Sequence, residues 1–251
     1  MQTDRIALRL RGNSEAMDLG LQLARANWLQ MLPVISLGMI PIALLAALAA
    51  QWHAPLALLV IWLFKPSLDR PLLHLLSRDL LGMAGGTGWL WRQRAQWWPG
   101  LHLTSLTLFR FHPARSFTLP IWQLEGQTGQ ARRQRTRALG YGSAGSGLGL
   151  TLMASLFELV VVISLFALFG WLLPASIWEG LGAPGWFDPA GVHDHFWLSL
   201  AAAYAVAVLL VEPFYLGAGF GLYLNQRCRL ECWDLEPALH RLAERAKARP
   251  A

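Results

Sequence analysis

Three charged residues interrupt runs that otherwise suit only lipid. Lys65, Glu158 and Glu212 each stand among apolar neighbours. A charge at the bilayer centre costs about 2.5–3.5 kcal/mol on insertion-based scales, so each needs a partner or a polar cavity. Two of them precede a proline, as Lys65-Pro66 and Glu212-Pro213. A proline inside a helix removes a backbone donor and leaves the carbonyl four residues earlier, Trp62 or Leu209, without its usual bond. Laid over one another, WLFKPSLDRPLLHLLSRD (62–79) and LLVEPFYLGAGFGLYLNQ (209–226) bring the two charge–proline pairs into register. That alignment points to two parallel repeats about an axis along the membrane normal. It predicts that Lys65 faces Glu212 as an ion pair. Asp69 and Arg70 follow closely, and pairing of Lys65 with Asp69 within one helix is the competing arrangement. The candidate charge site is therefore Lys65, Asp69, Arg70, Glu158 and Glu212. One reading makes it buried glue in a helix bundle, with Gly217, Gly219 and Gly221 letting backbones approach closely. The other makes it a proton or ion pathway, or a pocket for a headgroup.

The elements that must hold these charges are membrane spans. Only 14% of the 251 residues are charged, where soluble domains carry about a quarter. Asn27–Phe64 has no charge apart from His53. Ala138–Trp178 has only Glu158, and Phe196–Gln226 only Glu212. A span needs about 20 apolar residues. The pattern predicts an all-α, polytopic membrane domain over 1–251. An entry helix (1–27) leads to a first hairpin (28–77), with spans near Trp28–Ala50 and Ala54–Ser77. A cytoplasmic interfacial segment (78–147) follows, then a second hairpin (148–224), with spans near Leu148–Leu173 and Phe196–Leu224, and a tail (225–251). Trp28, Trp52, Trp171, Trp178 and Trp197 fall near span ends, where amphipathic rings favour the headgroup level.

Arginine and lysine set the orientation. The N-terminal arm holds Arg5, Arg9, Arg11 and Arg25, the 78–137 segment nine arginines, and the tail Arg227, Arg229, Arg241, Arg245, Lys247 and Arg249. The 174–195 loop has none. Both termini and the central segment are thus expected in the cytoplasm, and that loop outside. The net charge of +6 reads as attraction to anionic headgroups rather than to nucleic acid, because the arginines flank spans and no recognition motif accompanies them. Thr87–Trp98 fits an interfacial helix closed by Pro99, and Leu101–Phe109 is too short to span. QARRQRTR (130–137) reads as a solvated basic helix, and YGSAGSGLG (141–149) as a flexible hinge after it.

Enzyme motifs are missing. There is no phosphate loop, no G-x-S-x-G elbow and no HExxH. Cys228 and Cys232 lie four apart, an awkward spacing for a disulfide, in a reducing compartment. His193-Asp194-His195 reads as a polar loop. No catalytic residue, metal or cofactor is expected.

SEAMDLGLQLARANW (14–28), FKPSLDRPLLHLLSRDLLG (64–82), HPARSFTLPIWQLEG (112–126) and EPFYLGAGFGLYLNQRCRLECWDLE (212–236) together resemble a group of uncharacterised proteobacterial inner-membrane proteins. Those are similar to the membrane region of proteins carrying a transglutaminase-associated domain of unknown function, often near genes for MoxR-type ATPases. The entry helix and exit motif are more distantly similar to the membrane domain of some glycerophosphodiester phosphodiesterases. The resemblance implies a bacterial inner-membrane location and carries over no catalytic residue. The leading expectation is a non-enzymatic interaction subunit of an envelope-associated complex. It would dock through Arg132, Arg133, Arg135, Arg227, Trp233, Asp234 and Glu236. The alternative is a transporter or lipid-handling protein built on Lys65, Asp69, Glu158 and Glu212.

Overall fold

The computed structural model describes residues 11–80, 87–92, 112–172 and 194–231, and every regular element among them is helical. Helix α1 (Asn13–Ala26) starts with Glu15 in its first turn and ends on Arg25, each charge opposing the helix dipole at its own end. After Asn27, α2 (Trp28–Ala50) runs through 23 residues without a charge. At about 1.5 Å per residue it covers about 35 Å, enough for a hydrocarbon core of about 30 Å. A turn at 51–54 leads into α3 (Pro55–Phe64), which packs against α2.

The second expected span is not one helix. After α3, Lys65–Ser67 form a single 3-10 turn, and α4 (Asp69–Leu80) starts afresh. Pro66 and Pro71 remove two backbone donors within six residues, so the α register cannot continue through them. The turn closes with the Leu68 N–H on the Lys65 carbonyl (3.0 Å), and the Ser67 hydroxyl caps the Phe64 carbonyl (2.6 Å).

A short helix α5 (Thr87–Arg92) covers half of the expected interfacial stretch, with Leu90 buried. Residues 93–111, with the rest of that stretch and Leu101–Phe109, lie outside the described residues. Helix α6 (Arg115–Gln123) buries Ser116–Ile121. The basic helix α7 (Gly129–Gly140) ends at a turn of three residues, 141–143, with Gly142 at φ +80°. The expected hinge is thereby corrected: Ala144–Gly149 already belong to α8 (Ala144–Leu172). Gly147 is needed there for fit, since a Cβ would sit 2.8 Å from the Ala114 Cβ. Helix α9 (Asp194–Glu231) closes the chain. Residues 173–193, with most of the expected outer loop, Cys232 and the tail with Trp233, Asp234 and Glu236 lie outside the described residues.

Among the described residues, three helices are long and apolar enough to cross a membrane: α2, α8, and Phe196–Glu231 of α9. Helix α9 is the axis. Its 38 residues cover about 57 Å, well beyond a hydrocarbon core. Helices α1, α3, α6 and α8 pack along it. Helix α1 runs antiparallel to the C-terminal part of α9, with Ala16, Gly20 and Ala24 against Gly217 and Gly221. A Cβ on Gly217 would lie 2.7 Å from that of Ala24, so only small residues allow this approach. At the far end of α1 the Asn225 amide clasps the backbone of Arg11, accepting from its N–H (3.1 Å) and donating to its carbonyl (3.0 Å). At the near end Trp28 stacks on Phe214, centroids 5.1 Å apart, and Asn27 donates to Asp79 (2.8 Å).

Candidate functional site

Five ionisable side chains from five elements meet beside α9. Lys65 Nζ touches both oxygens of Glu158 (2.7 and 2.6 Å) and Oε2 of Glu212 (2.7 Å). The other Glu212 oxygen receives Arg115 at 2.5 Å, and Arg115 Nε lies 3.2 Å from Asp69 Oδ2. The order Glu158–Lys65–Glu212–Arg115–Asp69 is an alternating chain, with carboxylates at both ends and in the middle. Lys65 turns to Glu158 and Glu212, and Asp69 to Arg115, so the pairing within one helix does not form. Glu212 and Asp69 are about 1% exposed. Arg70 is buried next to Asp69, and its carbonyl accepts from Gln123 (2.9 Å).

Local structure explains each position. The break at Pro66 frees Lys65 from the line of α3. Asp69 opens α4, where the helix dipole favours an anion. Glu158 is 14 residues from either end of α8. Arg115 opens α6, the unfavourable end for a cation, and two carboxylates offset that. It also lies over the Tyr215 ring, 5.5 Å from the centroid. The first turn of α6 is pinned to α9 and α8, because the Tyr215 hydroxyl accepts from Ser116 N–H (3.3 Å) and bonds Thr151 Oγ1 (3.0 Å). Gly219 leaves room for that turn, since a Cβ there would collide with Ser116.

The chain of charges walls a cavity of about 180 Å³, where Trp62, His112, Ser155 and Tyr204 join Lys65, Arg115, Glu158 and Glu212 in the lining. The bonding capacity of the cluster is not used up. Among the described residues, Asp69 Oδ1 and Glu212 Oε2 have no aligned hydrogen-bond donor, although Glu212 Oε2 lies within ion-pair distance of Lys65. Burial lowers the pKa of His112, favouring its neutral ring, whose Nδ1 accepts from Ala114 N–H (3.3 Å). Among the described residues no three His, Cys, Asp or Glu side chains are arranged to hold a metal.

A second polar network lies at the C-terminal end of α9. Arg135 binds Glu125 through two bonds (2.5 and 3.0 Å) and also pairs with Glu231. Donating these hydrogen bonds to Glu125 raises the Arg135 pKa further. Arg227 bonds Glu231 (2.7 Å), and Tyr223 donates to Glu125 (3.0 Å). Arg132 lies over the Trp122 ring (4.3 Å). Of the arginines expected to dock a partner, Arg132, Arg135 and Arg227 are thus engaged internally, and Arg133 is exposed.

Arg115 and His112 were not among the expected site residues. The signal was the stretch HPARSFTLPIW, in which an apolar turn follows a single arginine inside an otherwise basic, polar segment. No protein-family model, curated protein or solved structure matches this chain.

Proposed function

We propose that this is an inner-membrane protein that binds the polar part of its ligand at bilayer depth, in the lipid-handling or transporter class. In this reading the chain crosses four times, with both termini cytoplasmic. Pro55–Leu80 is the second crossing, broken at Pro66, and its 26 residues reach about 39 Å. The resemblance to proteobacterial inner-membrane proteins supports the location, and the arginine distribution supports the orientation.

The carrying observation is the cavity. A structural ion pair is most stable when sealed and fully bonded, because its charges have left water. Here both signs of charge border an open space of about 180 Å³ instead. Broken helices and irregular backbone at membrane depth are tolerated where they line such a cavity. The second reading, an interaction subunit, has the exposed Arg133 on α7 in its favour.

The test is lipid translocation in proteoliposomes, using phospholipids with a fluorophore on the acyl chain and a membrane-impermeant quencher. Wild-type protein should expose more label than the outer leaflet of protein-free vesicles, and Glu212→Gln should lose most of that excess while still inserting. Wild-type behaviour equal to protein-free vesicles counts against the proposal.

A further inference from the structure

We infer that the cavity selects a zwitterionic headgroup, an ammonium and an anion on one ligand, and that the ligand is a lipid entering sideways from the bilayer. This rests on the reading of a membrane-embedded site given above.

Charge decides the ligand class. The lining holds two cations, Lys65 and Arg115, and two carboxylates, Glu158 and Glu212; the charge of Asp69, outside the lining, is offset by the buried Arg70 beside it. All four are already in contact with a partner of opposite sign, so a ligand enters only by exchanging partners. An ammonium can take the place of Lys65 at Glu158, where both carboxylate oxygens already point to a cation. Lys65 is then released to meet the ligand's anion. Each charge that loses a protein partner gains a ligand partner. A purely anionic or cationic ligand leaves one charge unmatched at bilayer depth, where such a charge is expensive. The aromatic side chains of Trp62 and Tyr204 also line the cavity, and aromatic rings attract an ammonium.

The mouth decides the source. Ser155 is exposed, and Trp62 is 38% exposed. Along α8, Ser155 is flanked by the exposed apolar side chains of Leu152, Leu156 and Leu159. This is a lipid-facing surface at the centre of a candidate span, so the cavity opens to acyl chains rather than to water. Its volume is below the roughly 300–1,000 Å³ of sites that enclose a whole ligand, which fits a headgroup whose tails stay outside.

The test is native mass spectrometry of the purified full chain in lipid-free detergent. The probes are short-chain phosphatidylethanolamine, phosphatidylglycerol of the same chains, the matching diacylglycerol, and water-soluble glycerophosphoethanolamine. Phosphatidylethanolamine should bind at least tenfold more tightly than the other three. Ser155→Trp, which fills the mouth from an exposed position, should erase the preference, whereas Ser155→Ala should keep it. Equal or tighter binding of phosphatidylglycerol overturns the zwitterion. Equal binding of glycerophosphoethanolamine overturns entry from the bilayer, and unchanged preference in Ser155→Trp overturns the site. Lipid translocation without headgroup preference sinks this inference alone. Loss of both translocation and binding sinks the proposed function with it.

Discussion

Lys65-Pro66 and Glu212-Pro213 are one dipeptide pattern with opposite charges, and the two meet at 2.7 Å. Their backbones behave differently. At Pro66 the helix breaks into a 3-10 turn, while Pro213 sits inside an unbroken helix of 38 residues. Context makes the difference. Pro66 is followed by Pro71, and the Ser67 hydroxyl takes up the Phe64 carbonyl as an alternative to helix bonding. Pro213 has no second proline nearby, and α1 is clamped along the next turns through Gly217 and Gly221. Pro213 therefore lies in a continuous helical wall of the cavity, and Pro66 at a joint between two helices, next to a charge.

The largest effect is expected at Lys65. Among the described residues it is the one cation in contact with Glu158, so Lys65→Met leaves that carboxylate alone in the cluster. Stripping one partner from a buried pair costs about 3–5 kcal/mol. A matching fall in thermal stability in detergent is expected, largely recovered by Lys65→Met with Glu158→Met. Glu212→Gln should cost less, about 1.5–3 kcal/mol, although Glu212 is more deeply buried. Removing the middle carboxylate leaves Lys65–Glu158 and Arg115–Asp69 as two complete pairs. A Glu212→Gln protein less stable than Lys65→Met would break the alternating-chain account.

The prolines come next. Pro66→Ala restores a backbone donor and should straighten the joint, lowering lipid translocation at least tenfold without loss of thermal stability. Pro213→Ala should leave translocation within twofold and raise stability. The gain should fall short of the roughly 3 kcal/mol that an interior proline costs an isolated helix, because α9 already accommodates it. Equal losses of translocation in both variants would remove the distinction between wall and joint.

Much of this frame was legible in the sequence because lipid imposes simple rules. Trp28–Ala50 could be bounded to the residue, since a run without charges has few alternatives once it exceeds a bilayer thickness. The contact of Lys65 with Glu212 was expected from the alignment of the two charge–proline pairs, while the expense of isolated charges called only for some partner. The pairing order did not, because Arg115 lies in a segment whose many arginines read together as a cytoplasmic surface. Burial of α6 depends on Gly219 and Gly147 making room for it, and close approach of that kind is a tertiary property. The same holds for α1. Its stripe Ala16, Gly20, Ala24 is unremarkable until Gly217 and Gly221 are known to face it.

The smallest effect concerns His112, which lines the same cavity. Burial lowers its pKa from an ordinary value of 6.5, so between those two values the unfolded chain binds more protons than the folded one. Stability must then rise with pH across that window and fall as the pH drops below 6.5. Protonation also blocks Nδ1 as the acceptor for Ala114 N–H, at the mouth of the helix that carries Arg115. Thermal unfolding of wild type and His112→Gln, compared from pH 7.5 to 5.5, isolates this contribution from that of the carboxylates, which both proteins share. The wild type should lose more stability than His112→Gln. The difference should be smaller than the loss in Glu212→Gln, because no charge pair is broken. Parallel curves would mean that the proton is taken up elsewhere, and that α6 holds Arg115 in the cluster independently of His112.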